Sequence, residues 1–582
     1  MYRIGAISSA AITMLGLILM ATPSLEGFVP TLAVQESGVK GSEAAGKAPG
    51  HGVQWYVGVI CIIWYCTVLS LAYSGWIEIM RKFTQMKQLP DPKLAQEPVS
   101  IIRPCKGIDT EMTACLESCI LQVYPRDRFE VLFCVESPED PSIPIIKDVM
   151  RRHPDYDLKL LVGWAGREDH YGPNPKINNL SKAYRHAKHD IVWVLDSNVW
   201  SSPGTLARSV ESLVHSLDNG AKTRGRPVVL THQAPLAFSV GEETRALPLS
   251  ARLDEMFLFS SHAKFYVGFN KVSIAPCVNG KSNFYRRSAL DLAVERIGEA
   301  TRATALFRDP QIQRDARAIA LKNHGRVAHE HCGFTEVTLA RGGLEPRAGL
   351  EPRSGLEDRA GFDERAVAGP DQPHHHGIEF FSTYIGEDNM IGTALWDMLG
   401  GRTGMTRDVV VQPLRFGTSD DGLRNYIDRR VRWLRVRKYM VLAATLLEPT
   451  TESLVSGAMG AYGISRVFGA SFYVVFGLHC ALWCATDWAQ YCALLRCVYS
   501  DIALENENEP EFVAAARPRR RFATWLGVWL LREALALPIW VRAMCGSVIY
   551  WRNKPFKINR DLTAEELRPQ LRPRSPPRTP TN

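Results

Sequence analysis

The chain has 582 residues, 69 Lys and Arg against 61 Asp and Glu, and a net charge of +8. That length accommodates ~3 or 4 domains, and 46% hydrophobic residues with 14 Trp beside 22% charged residues suit a soluble domain joined to membrane segments. Basic clusters such as Arg517 to Arg521 flank apolar stretches, where they meet anionic headgroups. They do not interleave with aromatics on one face, which excludes a nucleic-acid module. The 13 Cys are scattered with no paired CxxC spacing, as expected of reduced thiols in a chain that mostly faces the cytosol.

Residues 1–21 carry Arg3 and an apolar run, the pattern of a signal peptide or signal anchor. Residues 22–53 are small and polar, a flexible segment. Residues 54–77 hold about 22 uncharged apolar residues between Trp55 and Trp76, long enough to span a bilayer. Arg81, Lys82, Lys87 and Lys93 follow, placing the downstream domain on the cytosolic side.

From Val99 short apolar runs alternate with amphipathic stretches. Strands are predicted at Val99–Pro104, Phe129–Val135, Leu158–Val162, Ile191–Asp196 and Val228–Thr231, with helices at Thr110–Leu121, Ile143–Arg152, Lys176–Lys188 and Pro203–Leu217. This alternation implies an α/β fold with a mainly parallel sheet and helices on both faces. Ligands of such sheets sit beyond the carboxyl ends of the strands.

The polar residues fall at those ends. Asp140 follows the strand ending at Val135, and Asp196 ends the apolar run Ile191 to Leu195. A carboxylate placed after five apolar strand residues needs a partner, and Asp196-Ser197-Asn198 offers hard oxygens suited to Mg²⁺ or Mn²⁺ on a nucleotide diphosphate. Lys176 opens a helix after a Gly-Pro-Asn-Pro loop, where a cation and exposed amides meet phosphate. Further on, Glu387-Asp388 supplies a carboxylate for proton abstraction, and Arg429-x-x-Arg432-Trp433 supplies fixed positive charge for a departing diphosphate.

Arg103-Pro-Cys-Lys-Gly-Ile-Asp109, Asn174-Pro-Lys-Ile-Asn-Asn-Leu180, Asp196-Ser197, Glu387-Asp388 and Arg429-x-x-Arg432-Trp433 occur in one order. Together they resemble the ceramide glucosyltransferases, membrane relatives of the family-2 glycosyltransferases with a GT-A-type fold. The resemblance implies a UDP-glucose donor, a ceramide acceptor, a divalent ion and residence in a Golgi or endoplasmic-reticulum membrane. It also implies donor-binding roles for Lys106, Glu136, Asp140, Lys176 and Asp196, the last also holding the metal. Substrate-binding roles fall to His262, Cys277 and Glu387, and catalytic ones to Asp388, Arg429, Arg432 and Trp433.

The resemblance divides the chain into a catalytic domain at 97–297 and 377–439, a membrane region at 440–551 and a tail at 552–582. Residues 298–376 form an insertion with four hexad-like units from Gly343 to Ala366, whose Gly, Pro and balanced charge predict a disordered surface loop. The His374 to His376 run is expected to belong to that loop and not to a metal site. Asn198 and Lys281 depart from the family pattern, which has Gly and an apolar residue there. A processive polysaccharide synthase, a dolichol-phosphate sugar transferase and a non-catalytic nucleotide-sugar-binding protein remain alternatives on the sequence alone.

Overall fold

The computed structural model describes residues 52–90, 97–164, 170–214, 225–240, 249–299, 305–325, 333–339, 362–368, 375–414, 422–502, 510–516, 521–551, 554–559 and 564–567. The signal-like segment, nearly all of the flexible segment, the first three hexads and the end of the tail lie outside the described residues.

Helix α1 (Val53–Lys82) leads into an alternation of β1 (Val99–Pro104), α2 (Met112–Glu117), β2 (Phe129–Val135), α3 (Ile143–Arg152), β3 (Leu158–Gly163), α4 (Pro175–His186) and β4 (Ile191–Leu195). Strand β1 pairs in parallel with β2 and β4, and β2 with β3. Their side chains are buried on both faces, as expected of a parallel sheet covered by helices. All four strands therefore end at one edge, which carries Lys106, Glu136 and Asp196.

The sheet continues through β5 (Trp200–Ser201), α5 (Thr205–Val214), β6 (Val228–Ser239), α6 (Leu249–Phe257), α7 (Ala263–Val272), β7 (Ser282–Arg286) and α8 (Arg287–Gly298). Beyond these come α9 (Pro310–Asn323), β8 (Gly333–Leu339), β9 (Phe362–Ala368), α10 (Glu387–Leu399) and β10 (Arg402–Leu414). The ten strands lie in the order β5-β10-β6-β7-β4-β1-β2-β3-β8-β9. Around the parallel core, β7 joins β4 and β6 antiparallel, and β8 pairs antiparallel with β3 and β9. Strand β6 runs eight residues past the predicted Thr231 because β10 pairs beside it up to Leu414 and Ser239.

The insertion is more ordered than its composition predicts. Asp309 caps α9 by accepting from the Gln311 amide at 2.7 Å, and Ile312, Ala316 and Ile319 bury one face of that helix. The last hexad, Gly361 to Ala366, supplies most of edge strand β9, where pairing with β8 satisfies a backbone that polar side chains could not bury. His375 and His376 are engaged by Asp291 and Glu379.

After β10 come α11 (Gly422–Met440), α12 (Leu442–Leu447), α13 (Ser453–Phe468), α14 (Phe472–Ile502), α15 (Glu511–Ala516), α16 (Phe522–Met544) and a small antiparallel sheet of β11 (Val548–Trp551), β12 (Lys554–Ile558) and β13 (Ala564–Glu566). Among the described residues, α1 and α16 are long and apolar enough to cross a membrane. Helix α1 meets α7 so closely that a Cβ on Gly75 would stand 2.0 Å from the Lys264 carbonyl oxygen, and it meets α13 through Gly58 and Gly463. Small residues permit such backbone contact.

One hydrophobic core runs from Leu236 and Val411 of the sheet through Phe259 and Leu434 to Val68, Trp483 and Trp529. The buried pair Lys264 Nζ–Asp487 Oδ1 (2.8 Å) reinforces it, with Trp529 Nε1 donating to the same carboxylate at 2.9 Å. Arg532 and Glu533 pair with each other, although adjacent helix residues diverge, because the long guanidinium reaches back. Arg532 also reaches Glu452. The sheet domain is thus fused to the apolar helices and not merely tethered to them.

Candidate active site

At the first strand ends, Lys106 after β1 pairs with Glu136 after β2. Asp140 accepts from the Gly107 amide at 3.0 and 3.1 Å and from the Ser142 amide and hydroxyl at 2.9 and 2.6 Å. The αL conformation of Gly107 (φ 70°) turns its amide toward that carboxylate. Asp140 therefore shapes the loop between β1 and α2, with its oxygens already engaged.

Asp196, partly buried at the end of β4, accepts from Lys176 Nζ at 2.8 Å and from Lys281 Nζ at 3.1 Å. Burial pushes its carboxyl up, but the two ammonium groups outweigh this and hold it at about 2. Lys176 is placed by the Asn174 cap, whose side-chain oxygen accepts the Lys176 and Ile177 amides. Its ammonium also reaches Glu387 Oε1 at 3.1 Å and the Gly280 carbonyl at 3.2 Å. Burial lowers the Lys176 pKa, and Asp196 with Glu387 reverses that, leaving it raised. For a divalent ion, Asp196 and Asn198 present hard oxygens, whereas no group of three or more His, Cys, Asp or Glu side chains converges among the described residues. This donor set fits an ion held by one carboxylate and completed by phosphate oxygens, as Mg²⁺ sites commonly are.

Asp388 stands in the first turn of α10. The preceding Gly386 passes so near α11 that a Cβ would meet Met440 Sδ at 2.5 Å. Glu387 is held by Asn174 Nδ2 at 3.0 Å as well as by Lys176, and it turns Asp388 toward Gly280, where a Cβ would lie 3.2 Å from Asp388 Oδ2. Desolvation and the Glu387 carboxylate raise Asp388 to about 7 against the pull of Lys176. Such a value suits a general base at neutral pH.

The remaining predicted residues come from α11, from the wide turn at Leu258–His262 and from the run before β7. Arg429 on α11 pairs with Asp254 of α6 at 2.8 Å. Partly buried Arg432 has no hydrogen bond or ion pair among the described residues, and burial followed by neighbouring Arg429 lowers its pKa. Trp433 packs on Phe257, Leu258 and Leu414, and borders a small, mostly apolar pocket that Val199, Pro235, Leu236 and Val410 line together with Lys281, Asn279 and Gln412. Positions 429, 432 and 433 share one helix face because they are three and four residues apart.

His262 ends a wide helical turn at Leu258–His262 and stacks on Tyr266 at 5.2 Å. Burial, then Arg430 and Arg437, hold its imidazole down to about 3, so it is neutral. Burial pushes the Cys277 thiol up to about 11. The Cys277 carbonyl accepts from Asn270 at 3.0 Å. Sequence reasoning noted Lys281 only as a departure, took in Arg430 only as part of the Arg429 to Trp433 cluster without a role, and missed Asp254. Arg430 packs 3.5 Å over the Phe257 ring and pairs with Glu448 at 3.7 Å. No local signal marks Asp254, which lies in a distant element.

The model of glycosyl transferase family 21 matches residues 62–294 and 374–564, and the unmatched stretch falls on the insertion. A ceramide glucosyltransferase of Komagataella phaffii is 45% identical over 89% of this chain and 93% of its own length. One of Candida albicans is 39% identical over 88% and 98%. Among solved structures, a mannosyltransferase from Pyrobaculum calidifontis with GDP-Man and Mn²⁺ is 16% identical at a TM-score of 0.32, covering 82% of this chain and 97% of its own, too low a likeness to carry an argument. On the family match and these identities, the chain belongs to glycosyl transferase family 21.

Proposed function

We propose that the protein transfers glucose from UDP-glucose to the primary hydroxyl of ceramide, with inversion, giving β-glucosylceramide. The observation that carries the reading is Asp388, desolvated beside Glu387 at the strand ends of a domain whose core continues into the apolar helices. The relatives that match along most of the chain bear the corresponding name.

The donor nucleotide lies along Lys106, Glu136 and the loop shaped by Asp140. Lys176 meets the diphosphate from the start of α4, where helix amides also favour an anion. Asp196 and Asn198 would hold Mg²⁺ or Mn²⁺, which supplies positive charge against the diphosphate when bound. Asp388 accepts the proton of the ceramide hydroxyl as that oxygen attacks the anomeric carbon from the face opposite the leaving group. One displacement inverts the α-linked donor. Arg432, with Arg429 held by Asp254, offsets the charge that grows on the departing UDP. His262, Cys277 and Glu387 line the approach of the acceptor. The domain faces the cytosol at a Golgi or endoplasmic-reticulum membrane, where nucleotide sugar meets lipid.

The test is transfer of label from UDP-glucose to ceramide by purified protein in nanodiscs. Label in a single monoglycosylated lipid is expected. Label in a polymer or a dolichol-linked product would overturn the acceptor assignment.

A further inference from the structure

Lys281 lies in the run from Cys277 to β7 and is fixed at its backbone. Its carbonyl accepts from the Asp196 amide at 3.1 Å, and its own amide donates to Asn279 Oδ1 at 3.1 Å. Its ammonium touches Asp196 Oδ2 and Asn198 Oδ1, each at 3.1 Å. Asp196 thus faces two cations. Lys176 has a second carboxylate in Glu387, whereas the other partner of Lys281 is a neutral amide.

The charge of this cluster is therefore uneven. Negative charge collects toward Glu387 and Asp388, and the excess positive charge lies at Lys281. That side chain is 18% exposed and, with Asn279 and Gln412, is the polar lining of an otherwise apolar pocket bordered by Trp433. A lysine whose one carboxylate partner is shared with Lys176, at the strand end where Lys176 also stands, suits a phosphate oxygen. An ammonium gains more from a phosphate oxygen than from a carboxylate shared with a second lysine.

Resting on the donor reading above, we propose that Lys281 is a donor-binding residue that takes the diphosphate directly, exchanging its contact with Asp196 for a phosphate oxygen. Lys281 then gives the site an anchor for UDP that does not require a divalent ion. The exchange also frees one Asp196 oxygen, so nucleotide and ion assist each other.

Calorimetry on the full-length protein in nanodiscs tests this with UDP and uridine, each in Mg²⁺ and in EDTA. Wild type is expected to bind UDP in both media. Lys281→Met is expected to weaken UDP by about tenfold or more in EDTA and by less in Mg²⁺, with uridine affinity unchanged. Lys281→Arg should restore UDP binding to within about threefold of wild type in EDTA. Equal UDP affinity of Lys281→Met and wild type in EDTA would overturn the proposal. So would a parallel loss of uridine and UDP, which would make Lys281 a structural partner of Asp196. A wild type that binds uridine but no UDP in either medium would defeat the donor reading itself, and this proposal with it.

Discussion

The two halves of the site handle their charges differently. In the donor half, Asp140 is saturated by Gly107 and Ser142, and Asp196 is gripped by two lysines that hold it ionised. In the second half, Asp388 has no ion-pair partner among the described residues and is raised to about 7, while Arg432 is partly buried without one. A charge already satisfied makes a stable wall, and a desolvated one is poised to react. The contrast assigns binding to the first half and bond-breaking to the second.

Asp388→Asn breaks the contrast most strongly. It should cut kcat by about 10²- to 10⁴-fold while the Kd for UDP stays near the wild-type value. A large loss of UDP affinity would place Asp388 in the binding wall instead. Next, Arg432→Ala should lower kcat by about 10²-fold, measured under saturating donor, and a change confined to KM would contradict the leaving-group role.

The pH profile sharpens the same point. A base with a pKa near 7 must lose its proton to act, so kcat/KM should fall about tenfold per unit of pH below that value and level off above it. A plateau extending down to pH 5 would exclude Asp388 as the titrating base. Stability runs the other way. The folded value exceeds the ordinary 3.8, so the native state holds the proton more tightly and loses stability as pH rises from about 4 to about 7. Above pH 7 the ionised carboxylate is a standing cost, and Asp388→Asn should melt higher than wild type at pH 8.

The smallest effect is expected at Asp140. Asp140→Asn keeps the shape but weakens the grip on the Gly107 and Ser142 amides, raising KM for UDP-glucose a few-fold with kcat nearly unchanged. A kcat defect matching that of Asp388→Asn would erase the distinction between the halves.

The parallel core was legible because β1, β2 and β4 are apolar runs bounded by turn residues, and because Asp196 interrupts such a run at the edge where ligands bind. Lys176 was legible from its Asn-Pro helix start. What escaped depended on distance along the chain. The contact of Lys281 with Asp196 spans 85 residues, and the Arg532 to Glu452 pair spans 80, so no periodicity encodes either. Strand β10 was overlooked between Asp388 and Arg429, where the sequence reading placed no strand. Hexad composition concealed β9, whose polar residues pair with β8 through their backbone. The core joining Leu236 to Trp483 arises from packing between segments that each looked self-contained, one a soluble sheet and one a membrane helix.

The central claim, that Asp388 is the base of a transfer onto ceramide, is tested most directly by comparing wild type with Asp388→Asn in nanodiscs containing ceramide. The assay would use UDP-[¹⁴C]glucose and count lipid-extractable label, with UDP binding measured on the same preparations. The account predicts monoglucosylated lipid from wild type, almost none from the variant, and equal UDP binding by both. Undiminished transfer by Asp388→Asn would contradict it.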